Sequence, residues 1–222
     1  MKYIKYILAA AFVVASVQAA LIYPSDDARF SDYGGTGTAD NLDATKNNIQ
    51  VTDGPNNKNL FAGAFIFELP ALTADEIVSF ASVQWFLRGV VGTPVSNVRI
   101  DVFFKNNGTV ELSDYSATAN FSVEQFLTPE NAETNGKYQL SNEQLVEAIN
   151  EAYENGMSHI VFRAQVDGYD NTTPASGYNF ATKESDNQGM WPVLTIETIP
   201  EPGSLALLLI GLVGAFIARR KL

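Results

Sequence analysis

Val95-Ser96-Asn97-Val98-Arg99-Ile100-Asp101-Val102-Phe103-Phe104-Lys105 decides the fold class. Val98, Ile100, Val102 and Phe104 share one parity; Arg99, Asp101 and Lys105 share the other. An extended chain turns alternate side chains to opposite faces, so this pattern predicts a strand with one apolar and one wet face. The same spacing recurs upstream. Residues 81–90 set Ala81, Val83, Trp85 and Leu87 inward and Ser82, Gln84 and Arg88 outward, with Phe86 out of step. Residues 60–69 place Phe61, Phe65, Phe67 and Leu69 on one parity around Gly63, and Pro70 stops the run. Downstream, residues 158–166 turn Ile160, Phe162, Ala164 and Val166 inward, and residues 193–199 turn Leu194 and Ile196 inward. Leu21-Ile22-Tyr23 and Ile49-Gln50-Val51 read as shorter strands in a stretch otherwise rich in turn residues. Clean alternation of this kind belongs to antiparallel sheets.

Residues 141–155 change period. Leu145, Ala148, Ile149, Ala152 and Tyr153 form a helical stripe, Ser141 and Gln144 have capping-box spacing, and Gly156 stands where a C-terminal cap belongs. The expected fold is therefore all-β: an antiparallel jelly-roll-like β-sandwich over residues 20–199 carrying one amphipathic helix at about 142–155.

Both ends differ from this body. Residues 1–19 read as a signal peptide. Lys2 and Lys5 precede an apolar run, and Val17-Gln18-Ala19 is a small-x-small site that predicts cleavage between Ala19 and Ala20. At the other end stand Pro200-Glu201-Pro202, an uncharged run at 203–218 and the basic residues Arg219, Arg220 and Lys221. Residues 203–218 span roughly 24 Å as a helix, short of a ~30 Å hydrocarbon core but workable with snorkelling flanks. A transmembrane helix is expected there, with the basic cluster holding the C-terminus in the cytoplasm and the body outside. The two prolines keep Glu201 in an extended, accessible peptide.

Pro-Glu-Pro, membrane segment and basic cluster, in that order over residues 200–222, resemble the PEP-CTERM sorting signal of Gram-negative bacteria. The resemblance implies an exported chain processed by a membrane-embedded exosortase. The inner membrane would hold the precursor, and the product would go to the cell surface or extracellular matrix. A second resemblance concerns the body. Asp27-Ala28-Arg29, Tyr33-Gly34, the strand ending Phe67-Glu68-Leu69-Pro70, and Ile160-Val161-Phe162-Arg163 look like parts of a DNRLRE-type extracellular β-sandwich. So do Phe180-Ala181-Thr182-Lys183-Glu184 and Trp191-Pro192-Val193-Leu194-Thr195-Ile196. Thr182 departs from the family's serine. Such domains are associated with surface proteins and carbohydrate binding, an association of fold and not of function.

The chain has 222 residues, a formal charge of −11 and no cysteine. Removing both ends takes five of the 14 basic side chains and none of the 25 acidic ones, leaving −16. A surface this acidic repels phosphate backbones, so nucleic acid is not an expected partner. Without cysteine there are no disulfides, thiolate metal sites or cysteine nucleophile, and an exported body must be stabilised by burial.

The chemistry available to the body is sparse. His159 is the sole histidine, and strand parity turns it toward solvent, away from any nucleophile. Asp26-Asp27, Asp75-Glu76 and Glu184/Asp186 offer carboxylate pairs for glycoside hydrolysis, but neighbours on a strand point to opposite faces. Asp26, Asp27 and Asp32, with Asp40, Asp43, Asp167 and Asp170, are candidate calcium ligands without EF-hand spacing. Tyr169 and Tyr178 bracket a polar loop with Trp191 just beyond, and are candidate stacking platforms for sugar. The expected function is non-catalytic, that of an exported surface or matrix protein binding polysaccharide. A calcium-stabilised adhesive module and a hydrolase of extracellular polymer are the alternatives.

Overall fold

The computed structural model describes residues 17–53, 60–73, 75–167 and 176–201. The strands among them are β1 Gln18–Ile22, β2 Asp26–Asp32, β3 Asn41–Asp43, β4 Asn48–Asp53, β5 Leu60–Glu68, β6 Glu76–Val91, β7 Asn97–Lys105, β8 Phe121–Leu127, β9 Gly136–Leu140, β10 His159–Asp167, β11 Ser176–Ala181 and β12 Val193–Pro200. One helix, α1, covers Glu143–Glu154. All the strand pairings are antiparallel, as alternation requires.

The strands form one sheet in the order β1-β12-β6-β11-β4-β5-β10-β7-β8. β6 is long enough to take three partners. β12 pairs with residues 76–84, β11 with 87–91, and β9 lies across 83–87 on the opposite edge. The sheet curls over, so that β6 faces the β5–β10–β8 side across the core. Trp85 of β6 packs edge-on to Phe126 of β8 and Phe162 of β10, at ring centroid distances of 5.1 and 5.4 Å. Phe65 of β5 lies tilted against the same indole at 6.3 Å. The inward residues read from parity at positions 65, 67, 83, 85, 87, 98, 100, 102, 160, 162, 164, 194 and 196 all line this core. Gly63 is required because a Cβ there would collide with Ile49 of β4.

α1 closes the core with Leu145, Ala148, Ile149 and Ala152. Its N-cap is Asn142, whose Oδ1 accepts from the Leu145 amide at 2.8 Å. Ser141, expected to cap the helix, instead donates its hydroxyl to the Ala81 carbonyl. The other end closes as expected on Gly156 (φ 66°), with Gly156 N bonded to Tyr153 O and Met157 N to Ala152 O. Asn150 then fastens α1 to β6. Its Nδ2 donates to the Val78 carbonyl and its Oδ1 accepts the Val78 amide, both at 2.9 Å. Val78 lies beside the irregularity where β6 slips register against β12, and the amide side chain stands in for a strand neighbour. Asn150→Ala is expected to lower stability by about 1–3 kcal/mol in urea denaturation, because two buried backbone groups lose their partner.

Four further findings depart from the sequence reading. β2 lies in a polar stretch where no strand was read, and β3, β8, β9 and β11 join strands that parity did not reveal. β1 ends at Ile22 but begins at Gln18, inside the segment read as leader. The outer faces of β5, β7 and β10 are not wet. Ala62, Ala64, Ile66, Phe103 and Val161 join Ala28 and Phe30 of β2 in a second core, covered by Val110 and Tyr115. Asp101, expected to face water, lies at 2 % exposure on that outer face. The predicted transmembrane helix at 203–218, and leader residues 1–16, lie outside the described residues. Within those residues no helix is long and apolar enough to cross a membrane.

Candidate functional site

Two places concentrate features that folding alone does not require. The first is the end of β12. Its final residue, Pro200, pairs with Glu76, and the Glu201 amide donates to the Asp75 carbonyl at 2.6 Å. β12 thus runs without a spacer into Pro200-Glu201-Pro202. Glu201 is exposed and Pro200 half-buried. Pro202, Arg219, Arg220 and Lys221 lie outside the described residues. β1 lies along the other edge of β12, with Gln18 opposite Thr198 and Ala19 opposite Glu197. Of the two residues at the predicted cleavage point, Ala19/Ala20, the nearer, Ala19, therefore stands three strand positions from Pro200. No spacing in the chain announces this, because the partners are about 180 residues apart.

The second is a corner where the start of β2 meets the segment after β11. Lys183 N donates to Asp27 Oδ2 at 2.8 Å, and Lys183 Nζ donates to the Ser25 carbonyl at 2.7 Å and to Asp26 Oδ1 at 3.3 Å. Asp26 Oδ2 accepts from the Val110 amide. Asp27 is 1 % exposed and faces Glu184. Burial raises the Asp27 carboxyl, the Lys183 amide opposes the rise, and the Glu184 carboxylate adds to it. The result is pushed up to about 8. At neutral pH Asp27 is protonated and faces the Glu184 carboxylate, whose Oε2 is buried. On the solvent side of this corner Trp191 stands edge-to-face with Tyr23 at 5.7 Å. The Trp191 Nε1 donates to the Ser185 carbonyl at 2.8 Å, which fixes the indole, and Tyr23 is 40 % exposed.

The residues expected to act together are placed as follows. Asp26 and Asp27 share the corner, but Asp32 sits at the far end of β2, about 20 Å away at ~3.3 Å per residue. Asp32 accepts the Thr36 and Gly37 amides at 3.0 and 2.9 Å and the Tyr115 hydroxyl at 3.4 Å, so it organises the Gly34–Gly37 turn. Burial pushes its carboxyl upward, and the amides of Thr36 and Gly37 outweigh that and hold it below the usual range. The three carboxylates do not converge as a ligand set, and the described residues contain no group of three or more that could hold a metal. Tyr178 is a correction. It is fully buried in β11, donating its hydroxyl to the Ser96 carbonyl at 2.8 Å, and offers no ring face to a sugar. Tyr169 lies outside the described residues. Trp191 is half-buried beside Tyr23, which sequence reading treated only as a strand end. His159 is half-buried, its Nδ1 2.8 Å from the Ser158 hydroxyl. Glu184, paired by proximity with Asp186 in the sequence, faces Asp27 instead.

Comparison with known protein families matches residues 198–221 to the PEP-CTERM protein-sorting motif. A search of curated proteins finds no match. The matched segment begins inside β12 and takes in the expected tail from Pro200 through Lys221. The chain accordingly carries a PEP-CTERM sorting motif, which supports export and implies an exosortase as the processing partner.

Proposed function

We propose that the processed chain is a non-catalytic protein of the cell surface or extracellular matrix, and that its β body binds polysaccharide. The observation that carries this reading is the Tyr23–Trp191 pair. Tyr23 is 40 % exposed and Trp191 half-buried, and the indole is held by a hydrogen bond to the carbonyl of Ser185, the residue after Glu184. Sugars stack their apolar C–H faces on such rings and hydrogen-bond their hydroxyls to neighbouring carboxylates. A hydrolase reading is supported less well. The Asp27 carboxyl is buried behind the surface, with its oxygens engaged by the Lys183 amide and Glu184.

The test is co-sedimentation of the protein with insoluble polysaccharides. Tyr23→Ala and Trp191→Ala are each expected to weaken binding roughly 3- to 10-fold, the scale of one aromatic contact. Glu184→Gln is expected to leave polymer viscosity unchanged relative to the wild type. Binding that ignores both aromatic changes would overturn the assignment. A fall in viscosity abolished by Glu184→Gln would install the hydrolase reading in its place.

A further inference from the structure

β12 has two edges, and they are closed by different means. On one side β6 pairs along its full length, ending at Pro200 opposite Glu76, and the Glu201 amide is tied to Asp75. On the other side lies β1, the terminal strand of the sheet, which reaches as far as Thr198 only through Gln18 and Ala19. These two residues belong to the leader if cleavage falls between Ala19 and Ala20. Removing them strips the partner from Glu197 and Thr198, and strand pairing then begins at Ala20 opposite Ile196. The uncovered backbone runs directly into the sorting motif, which the family match places at residues 198–221. An unpaired edge of this kind is a template for another extended chain, which gains main-chain hydrogen bonds by adding as a strand.

We propose that the β12 edge at Glu197 and Thr198 is where the exosortase adds a strand, and that Ala19 and Gln18 cover those two residues until the leader is cut. Leader removal then licenses tail processing. The order of the two cuts is set by sheet pairing: a precursor still carrying its leader has Glu197 and Thr198 paired, and only a correctly started mature chain has them open. This inference rests on the sorting reading of the tail.

The test uses full-length chains expressed in the native host behind a substitute leader, designed so that the mature protein starts at Val17. One chain carries Ala19→Val, which abolishes the small residue needed for cleavage and keeps strand pairing. A second carries Ala19→Pro, which also blocks cleavage but removes the amide and breaks the edge pairing. Intact masses after a pulse report both ends of each species. The Ala19→Val chain is expected to lose its tail at least tenfold more slowly than a chain starting at Ala20, and the Ala19→Pro chain to recover most of that rate. Equal tail loss in all three would overturn the proposal, as would equal slowing by Val and Pro. A wild-type chain that starts at Ala20 yet still ends at Leu222 would overturn the sorting reading itself, and this inference with it.

Discussion

Arg163→Ala is expected to lower stability by about 3–5 kcal/mol in urea or thermal unfolding, the scale of a buried ion pair broken from one side. The guanidinium bonds Asp101 Oδ2 through Nε at 3.2 Å and Nη2 at 2.7 Å, with both side chains under 10 % exposed. Burial alone would raise the Asp101 carboxyl, and the Ser122 hydroxyl and Arg163 outweigh it and hold it below the usual range. Arg163 has a second task. Its Nη1 donates to the carbonyls of Asp114, Tyr115 and Ala117 at 2.7, 2.7 and 3.0 Å, pinning the segment that roofs the second core. For that reason the double change Asp101→Leu with Arg163→Met should not restore stability, although replacing a buried pair by apolar groups often does. The Asp114 and Ala117 carbonyls would still lose the Arg163 donor, and that of Tyr115 would keep only Gln165 Nε2 at 3.2 Å. Hydrogen exchange should show the loss concentrated in residues 106–117. Full recovery in the double variant would mean that the carbonyl contacts contribute little.

Asp27→Asn should flatten the pH dependence of stability and raise stability at alkaline pH. The folded carboxyl titrates near 8 against an unfolded value near 4. Its folded pKa is raised, so the folded state holds the proton more tightly. The stability it contributes is full below about pH 4 and is lost as pH rises through 8. The wild type should lose on the order of a few kcal/mol between pH 5 and pH 9. Asparagine keeps the shape, accepts the Lys183 amide and donates to Glu184 at every pH. The variant should therefore match the wild type near pH 4 and exceed it at pH 9. Asp32, Asp43 and Asp101 carry lowered values and act with the opposite sign, but they do so below this window. A wild-type melting temperature that is flat or rises from pH 5 to 9 would remove the Asp27 proton from the account of this corner.

Much of the architecture was legible in the residues. Period-2 alternation located β5, β6, β7, β10 and β12 and chose the side that faces the main core, but it did not show that the other side of β5, β7 and β10 is buried as well. The helix was legible because its stripe and Gly156 follow the 3.6 period. β2 was not, because Asp26-Asp27-Ala28-Arg29-Phe30-Ser31-Asp32 reads as polar. It is a strand only because its acids find the Lys183 amide, Glu184 and the Gly34–Gly37 turn, and its Ala28 and Phe30 find the outer face of β5.

By itself the chain determined that its body is an antiparallel β fold with one helix, and that its tail is a sorting signal. Both are written in short-range patterns, a period or a motif, that need no distant partner. Only the tertiary structure decided that Asp101 is buried, that Tyr178 belongs to the core, that Asp27 is buried against Glu184, and that Gln18 and Ala19 lie beside Thr198 and Glu197. Each of those depends on side chains brought together across 60 to 180 positions by the curl of one sheet. Whether a polar residue there is solvated, paired or protonated is a property of what it meets.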